Sequence, residues 1–264
     1  MKSITSRDNP LYKEYKHLAT SAQALRKAGR SLLDGVHLCQ AYFQHHGVPQ
    51  CCIVAESSLH HPEVAAILAN IEQGAVQCIC LPDVLYKALS QVEHGVGLMF
   101  VIATPASQLP PALAASSVVL DNLQDPGNLG SILRSAAGAG IRNVFCSPGT
   151  ASAWSPKVMR AGMGAHFLLN IFENVDLAEL LGSASIPVLA TSSHTSLSIY
   201  QTDLSKDVAW LFGHEGQGVS PDLMAMASKT VTIPQQAAIE SLNVAASAAI
   251  CFFEQVRQQL GKAG

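Results

Sequence analysis

Residues 233–250 read Ile-Pro-Gln-Gln-Ala-Ala-Ile-Glu-Ser-Leu-Asn-Val-Ala-Ala-Ser-Ala-Ala-Ile. The pattern predicts a strand ending at Pro234, a loop rich in backbone amides, and a helix from about Ser241 towards Leu260. Small residues at 245–249 let another backbone pack closely on that helix. We expect Ser241 to be its N-cap, because a serine hydroxyl can accept a hydrogen bond from a first-turn amide. Alone, such a segment is more often a core helix than a functional one.

Size and composition indicate a globular protein with a sizeable core. The chain has 264 residues, of which 48% are hydrophobic, enough for one large domain or two modest ones. No apolar run approaches the length of a membrane span, and residues 1–10 lack the apolar centre of a signal peptide. Seven irregularly spaced cysteines predict reduced, mostly buried thiols. We therefore expect a soluble, cytoplasmic protein.

Charge is distributed unevenly along the chain. The net charge is only −3, but the first thirty residues are basic: Lys2, Arg7, Lys13, Lys16, Arg26, Lys27 and Arg30 face only Asp8 and Glu14. A local basic patch can contact phosphates even on a protein that is nearly neutral overall. On charge alone, a solvated helix face explains the same residues more simply.

The N-terminal part predicts a small α/β unit. Helices are expected at 11–28, 36–46, 62–71 and 82–90, and strands at 31–35, 51–55, 76–81 and 97–103. Residues 104–115 are rich in Pro, Ser and Ala without periodicity, as linkers often are. The predicted domains are therefore 1–103 and 116–264.

The C-terminal part alternates strand-like and helix-like runs. Strands are expected at 118–121, 143–146, 167–172, 188–191, 208–212 and 230–233, and helices at 129–139, 155–162, 177–182 and 221–227. Such alternation predicts an α/β fold with a mostly parallel sheet covered on both faces. Ligands of these sheets bind at the carboxyl ends of the strands.

Two polar clusters follow predicted strands. In the first, residues 120–136, Asp125 or Asn128 can cap a helix that carries Arg134, and arginine suits forked recognition of phosphate. In the second, Gly213-His-Glu-Gly-Gln-Gly218, glycines allow main-chain groups to face a ligand. The second cluster leaves a nicotinamide-dependent oxidoreductase open, although it matches the dinucleotide fingerprint poorly.

Together the clusters resemble the three motifs of the SpoU-type branch of the SPOUT RNA methyltransferases. The matching residues are Asn128-x-Gly130-x-x-x-Arg134-Ser135-Ala136, Gly213-x-Glu215-x-x-Gly218, and Ile233-Pro234 followed by Glu240-Ser241-Leu242-Asn243-Val244. The resemblance covers about residues 116–260. Where the family usually has Met and Gly after Ile-Pro, this chain has Gln235 and Ala237, which bears on cofactor affinity. More weakly, residues 1–103 resemble a ribosomal-protein-like (L30e-like) substrate-binding domain.

The resemblance implies a homodimeric enzyme that methylates the ribose 2′-hydroxyl of RNA with S-adenosylmethionine. The family ties its catalytic domain into a trefoil knot and binds the cofactor there, largely through main-chain groups. Carried over to this chain, the cofactor-binding residues are Thr191, Ser192, Gly213, Gly218, Ile233 and Leu242. A binding protein of the same fold without turnover is the alternative, although the matching motif residues argue against it.

The resemblance also suggests roles for catalytic residues. Arg134 matches the residue often assigned to activation of the hydroxyl, but a guanidinium stays protonated, so contact with phosphate and stabilisation of the developing alkoxide suit it better. Asn128, Ser241 and Asn243 are expected to orient the ribose and the arginine. Glu215 is expected either to hold Arg134 or to shape its own loop.

The sequence also gives expectations about the RNA substrate and about metal binding. A basic segment joined to an L30e-like domain favours ribosomal over transfer RNA, with Arg7, Arg26 and Arg30 contacting it. The adjacent pairs His45-His46 and His60-His61 point in different directions on a helix or strand, so we expect no metal site.

Overall fold

The computed structural model describes residues 1–71, 76–92, 95–193, 195–236 and 241–261. Contacts divide the chain into two compact units. The first contains residues 1–105 together with 154–167, and the second contains 106–153 together with 168–264. The sequence predicts residues 154–167 as part of the C-terminal domain, whereas contacts group this segment with the first unit. The functional boundary at 104–115 stays a prediction.

The first unit is built on a five-stranded mixed sheet. Its elements are β1 (Lys2–Ser3), α1 (Pro10–Thr20), α2 (Ala22–Ala28), β2 (Arg30–Asp34), α3 (Val36–His46), β3 (Cys51–Ala55), α4 (Pro62–Ile71), β4 (Gln77–Leu81), α5 (Asp83–Leu89) and β5 (Leu98–Ala103). The strand order is β1-β4-β3-β5-β2, with β5 antiparallel to both neighbours. The pattern of the sequence predicts each of these elements except β1 and the break between α1 and α2.

The prediction of one helix over 11–28 is wrong, because the helix is interrupted at Ser21. Its backbone is extended (φ −134°, ψ 108°), and its hydroxyl accepts from the Ala24 amide at 3.1 Å to open α2. Just before the break, the Thr20 hydroxyl donates to the Lys16 carbonyl at 2.9 Å. Such side-chain bonds compete with the helical ladder. Gly29 ends α2 in the left-handed region, as its position predicts.

The second unit contains a six-stranded parallel sheet. The elements are β6 (Ser117–Leu120), α6 (Pro126–Gly138), β7 (Asn143–Cys146), β8 (Asn170–Phe172), α8 (Leu177–Gly182), β9 (Val188–Thr191), β10 (Ala209–Phe212), α9 (Pro221–Ala225), β11 (Lys229–Val231) and α10 (Val244–Leu260), while α7 (Pro156–Gly162) falls in the first unit. The strand order is β11-β9-β10-β6-β7-β8, and every pairing is parallel. This confirms the predicted parallel α/β sheet. The strand expected over 167–172 is shorter, because residues 165–168 form a 3-10 turn.

Buried contacts hold α10 against the sheet. The Trp210 indole donates to Gln255 Oε1 at 2.8 Å, and Gln255 Nε2 donates to the Ser116 hydroxyl at 3.0 Å. Phe252 meets Phe212 edge to face, with ring centroids 5.9 Å apart. Since paired buried polar groups tolerate little displacement, these contacts fix the position of α10 and of its first turn.

The N-cap of α10 is Asn243, so the prediction of Ser241 is wrong. Asn243 Oδ1 accepts from the amides of Ala245 and Ala246 at 2.9 and 3.2 Å. The helix starts at Val244, so Ser241 lies two residues before the N-cap. Both residue types cap helices well, so composition does not choose between them.

Two expectations from composition can be compared with the structure. Five of the seven cysteines are buried, namely Cys39, Cys51, Cys52, Cys146 and Cys251, which confirms that most thiols lie inside. In the described ranges, no helix is long and apolar enough to cross a membrane.

Candidate functional site

A cavity of about 660 Å³ opens where β9, β10 and β11 end. Because these strands are parallel neighbours, the loops after their carboxyl ends meet at one edge of the sheet. Of the residues predicted to bind cofactor or act in catalysis, the cavity is lined by all except Arg134: Asn128, Thr191, Ser192, Gly213, Glu215, Gly218, Ile233, Ser241, Leu242 and Asn243. The sequence therefore identified one site from segments far apart in the chain.

The loop after β10 closes on itself between His214 and Gly218. The His214 amide donates to the Gly218 carbonyl at 3.0 Å, and the Gly218 amide donates back at 2.8 Å. A Cβ atom on Gly213 would lie 2.1 Å from the Gly218 carbonyl carbon and 2.2 Å from the Val219 nitrogen. Gly218 itself has a positive φ of 73°. Both glycines are thus required by backbone geometry, which exposes main-chain groups of the loop to the cavity.

His214 stabilises the same loop, a role that the sequence did not predict. Its Nδ1 accepts from the Gly216 amide at 2.9 Å and from the Gln217 amide at 3.3 Å. This arrangement requires the tautomer that carries its proton on Nε2. At the far end of the loop, Asp121 Oδ2 accepts from the Ser220 amide at 2.8 Å. A polar side chain two residues before a glycine was the available sequence signal.

A chain of side-chain hydrogen bonds joins the three motifs. Asn243 Nδ2 donates to Asn128 Oδ1 at 2.9 Å, and Asn128 Nδ2 donates to Glu215 Oε1 at 3.1 Å. The backbone of Asn128 is held by the N-cap of α6, since its main-chain N–H donates to Asp125 Oδ1 at 2.7 Å. Each amide side chain therefore has a fixed orientation beside the cavity.

Glu215 binds the N-terminus of α6. Its carboxylate accepts from the backbone amides of Gln124 at 3.0 Å and Asp125 at 2.9 Å, in addition to Asn128. Partial burial acts to raise the pKa of this carboxyl, but the hydrogen bonds outweigh burial and lower the pKa. A negative charge is also favourable at a helix N-terminus. Of the two roles expected for Glu215, this geometry corresponds to shaping its loop.

Arg134 lies on α6 with an exposed side chain. Its guanidinium has no hydrogen bond or ion pair to any residue that the structure describes, and it does not line the cavity. The side chain is therefore available to a ligand outside the cavity. A freely solvated guanidinium is suited to a phosphate oxygen on an approaching polymer.

Part of the N-terminal basic segment is already paired. Arg30 forms an ion pair with Glu14, and Lys13 forms one with Asp8, with Nζ 2.8 Å from Oδ1. Arg7 and Arg26 are exposed. Of the three arginines expected to contact RNA, Arg30 would have to exchange its partner to do so.

The lining of the cavity is chemically mixed. The lining includes the glycine loop together with apolar residues, namely Val219, Met224, Ile233, Leu242 and Val244. Apolar walls with a few placed polar groups suit a nucleoside-sized ligand. The motif positions Ala237 and Glu240 lie outside the described residues. Within those residues, no cluster of three His, Cys, Asp or Glu side chains could hold a metal ion.

Comparisons with known proteins point to one family. The model of the SpoU rRNA Methylase family matches residues 115–253. A Synechocystis protein described as an uncharacterized tRNA/rRNA methyltransferase is 32% identical, covering 97% of this chain and 94% of that one. The 23S rRNA (guanosine(2553)-2′-O)-methyltransferase of Bacillus subtilis is 28% identical, covering 96% and 98%.

A solved structure agrees in fold. The SpoU methyltransferase AviRb of Streptomyces viridochromogenes, in complex with AdoMet, superposes with a TM-score of 0.86 at 22% identity, covering 96% of this chain and 98% of that one. The family match spans more than half of the chain and includes the motif residues that line the cavity. This chain belongs to the SpoU rRNA methylase family.

Proposed function

We propose that this protein transfers a methyl group from S-adenosylmethionine to a ribose 2′-hydroxyl of ribosomal RNA. The observation that carries the proposal is the bonded series Asn243, Asn128 and Glu215, which joins three sequence-distant motifs beside a cavity at the strand ends. Family membership and the printed activity of the Bacillus subtilis relative support the same reaction.

The cavity accounts for cofactor binding by residues already in place. When bound, S-adenosylmethionine supplies an electrophilic methyl group. Main-chain groups of Gly213 and Gly218 and the segments at Thr191–Ser192 and Ile233 hold the cofactor, while Leu242 belongs to the apolar wall. Two backbone hydrogen bonds already close the loop between His214 and Gly218, so the ligand has less of the loop to order when it binds.

Catalysis then depends on positioning and charge. A ribose hydroxyl is a weak nucleophile, so it must be aligned and its developing negative charge stabilised. Arg134 contacts the neighbouring phosphate and stabilises that charge, because its guanidinium has no competing partner in the described part of the chain. Asn128 and Asn243 orient the ribose through neutral hydrogen bonds, and Ser241 lies at the same wall.

The wider assembly is part of the proposal. Residues 1–103 form the L30e-like domain that recognises RNA, with Arg7 and Arg26 contacting phosphates and Arg30 contributing after release from Glu14. The C-terminal domain closes into a trefoil knot and pairs with a second copy of the chain. The enzyme works in the cytoplasm, where ribosomal RNA is processed.

The test uses tritium-labelled S-adenosylmethionine and total RNA from a strain that lacks the protein. Wild type is compared with Arg134→Ala and with Arg142→Ala, a control that removes an exposed arginine of the same unit outside the cavity. We expect label at one ribose 2′-O position of ribosomal RNA with wild type and the control. Arg134→Ala should lower the rate at least a hundredfold, the usual effect of losing one charge-stabilising group.

The other outcomes separate the alternatives. Label in transfer RNA would correct the substrate class but keep the reaction. No label despite cofactor binding would favour the binding protein without turnover. Binding of a dinucleotide and not of S-adenosylmethionine would favour the oxidoreductase and overturn the proposal.

A further inference from the structure

The side chain of Gln124 joins the loops that follow β6 and β7. Its nitrogen Nε2 lies 2.7 Å from the Gly149 carbonyl oxygen, 2.8 Å from Asn122 Oδ1 and 3.1 Å from the Asn122 carbonyl oxygen. Because main-chain carbonyl oxygens only accept, the nitrogen of the Gln124 amide and not its oxygen faces them. The side chain is exposed, yet these hydrogen bonds hold it in one orientation.

Further hydrogen bonds join the same two loops on either side of Gln124. The Asn122 main-chain N–H donates to Ser147 Oγ at 2.8 Å, and the Ala151 N–H donates to the Leu123 carbonyl at 2.8 Å. Since β6 and β7 are parallel neighbours, this contact lies at the edge of the sheet where their carboxyl ends meet. These bonds do not involve the Gln124 side chain, so we expect the loops to stay folded when it is replaced.

The main chain of Gln124 contacts the site itself. Its N–H donates to Glu215 Oε2 at 3.0 Å, and the N–H of Asp125 donates to the other oxygen of that carboxylate at 2.9 Å. Glu215 also accepts from Asn128 Nδ2 at 3.1 Å. Asn128 and Glu215 line the cavity, whereas Gln124 does not. Gln124 thus connects the loop after β7 with two polar side chains at the cavity.

We propose that Gln124 is a positioning residue for methyl transfer, which fixes the loop before α6 and thereby the alignment of Glu215 and Asn128. The inference rests on the proposed function, since it concerns the reaction of the same site. Reactions that depend on alignment lose rate steeply when a group is displaced by about 1 Å. Because Gln124 lies outside the cavity, its loss should slow the transfer and leave cofactor affinity unchanged.

Three variants separate the hydrogen-bond donor from the bulk of the side chain. Gln124→Met has a similar shape and lacks both N–H groups, whereas Gln124→Lys restores N–H donors at the end of an unbranched chain. Gln124→Glu places a carboxylate, which only accepts, against the same oxygen atoms. The matched control is Gln201→Met, because Gln201 is an exposed glutamine of the same unit outside the cavity.

The transfer rate is measured in single turnover, with tritium-labelled S-adenosylmethionine and total RNA from a strain that lacks the protein. We expect Gln124→Met to transfer the methyl group at least about tenfold more slowly, Gln124→Glu to be slower still, and Gln124→Lys to recover part of the rate. By titration calorimetry, the affinity of Gln124→Met for S-adenosylmethionine should stay within about twofold of wild type. Gln201→Met should match wild type in both measurements.

Two further measurements test how Gln124 acts. In a double-mutant cycle, Gln124→Met should slow Asn128→Ala by about twofold at most, because the side chain that it aligns is already gone. Amide hydrogen exchange of the ligand-free chain needs no activity. The N–H groups of residues 124 and 125 should exchange faster in Gln124→Met than in wild type or in Gln201→Met.

Each measurement can overturn the inference. It is wrong if Gln124→Met transfers methyl at the wild-type rate, if weaker cofactor binding explains the whole loss of rate, or if the effect adds fully to that of Asn128→Ala. Unchanged exchange at residues 124 and 125 would also contradict it. Failure of the wild-type protein to methylate RNA would instead refute the proposed function, and the exchange measurement would still show whether Gln124 holds the loop.

Discussion

Replacing Gly213 by alanine tests whether the closed glycine loop is needed for cofactor binding. The new Cβ would lie 2.1 Å from the Gly218 carbonyl carbon, whereas ordinary contacts begin at 3.4 Å. The obstacle is backbone fixed by two hydrogen bonds to His214, so the loop must move by about 1 Å or lose those bonds. A rotamer change cannot relieve the clash.

The magnitude follows from that geometry. Overpacking costs about 1–3 kcal/mol, and a clash with fixed backbone belongs at the upper end. For a chain of this size, roughly 3 kcal/mol lowers the melting temperature by about 6–12 °C. Since the displaced loop lines the cavity, we also expect S-adenosylmethionine affinity to fall at least about tenfold.

Scanning fluorimetry and titration calorimetry measure the two effects of Gly213→Ala. The control is Gly138→Ala at the end of α6, where an added Cβ would meet the ring of Phe253 at a normal 3.6 Å. This control should melt no lower than wild type, because alanine favours helix. If Gly213→Ala melted and bound cofactor like wild type, the loop would be more pliable than its hydrogen bonds indicate, and the reasoning would be refuted.

Three further predictions concern polar groups. Glu215→Gln should lower the free energy of unfolding at pH 7 by about 1 kcal/mol. Because folding lowers the pKa of Glu215, the carboxylate contributes its full stability above the ordinary pKa of 4.5 and loses that contribution as the pH falls through the lowered value. The melting temperatures of wild type and variant should therefore converge in acid. His214→Ala removes the acceptor of two loop amides and should weaken cofactor binding roughly threefold to tenfold by calorimetry, with a melting temperature within a few degrees of wild type; unchanged affinity would contradict this role. The double variant Arg7→Glu/Arg26→Glu should weaken RNA binding and reduce the slope of log affinity against log salt concentration by about two, one for each lost phosphate contact. Lys13→Glu should have a smaller effect, because the charge of Lys13 is already paired with Asp8. Equal effects would argue against an RNA-binding surface at Arg7 and Arg26.

The sheet of the second unit was predictable because its strands carry strong local signals. Runs such as Val188–Thr191 and Ala209–Phe212 are short and apolar between polar turns, the pattern of strands buried on both faces. By contrast, β1 has only two residues and exists because Lys2 and Ser3 pair with Ile79 and Cys80. A strand defined by a distant partner leaves no periodicity of its own in the sequence.

The site was predictable in membership but less so in its contacts. The resemblance to the family's three motifs placed Asn128, Glu215 and Asn243 in one site. The choice of Asn243 over Ser241 as N-cap depends instead on where α10 packs against the sheet. The partners of Glu215 are backbone amides, which every residue carries and no composition marks. The role of His214 was not predictable for a related reason, because its partners are also backbone amides.

The hydrogen bond between Asn128 and Asn243 joins residues 115 positions apart. A chain leaves the ribosome N-terminus first, so Asn128 is synthesised before Asn243. Contacts of such long range also form late in folding, because a large loop must close before they repay its entropy. We therefore expect the cavity to be complete only after α10, which follows the lining residues Leu242 and Asn243, has been synthesised and has packed against the sheet.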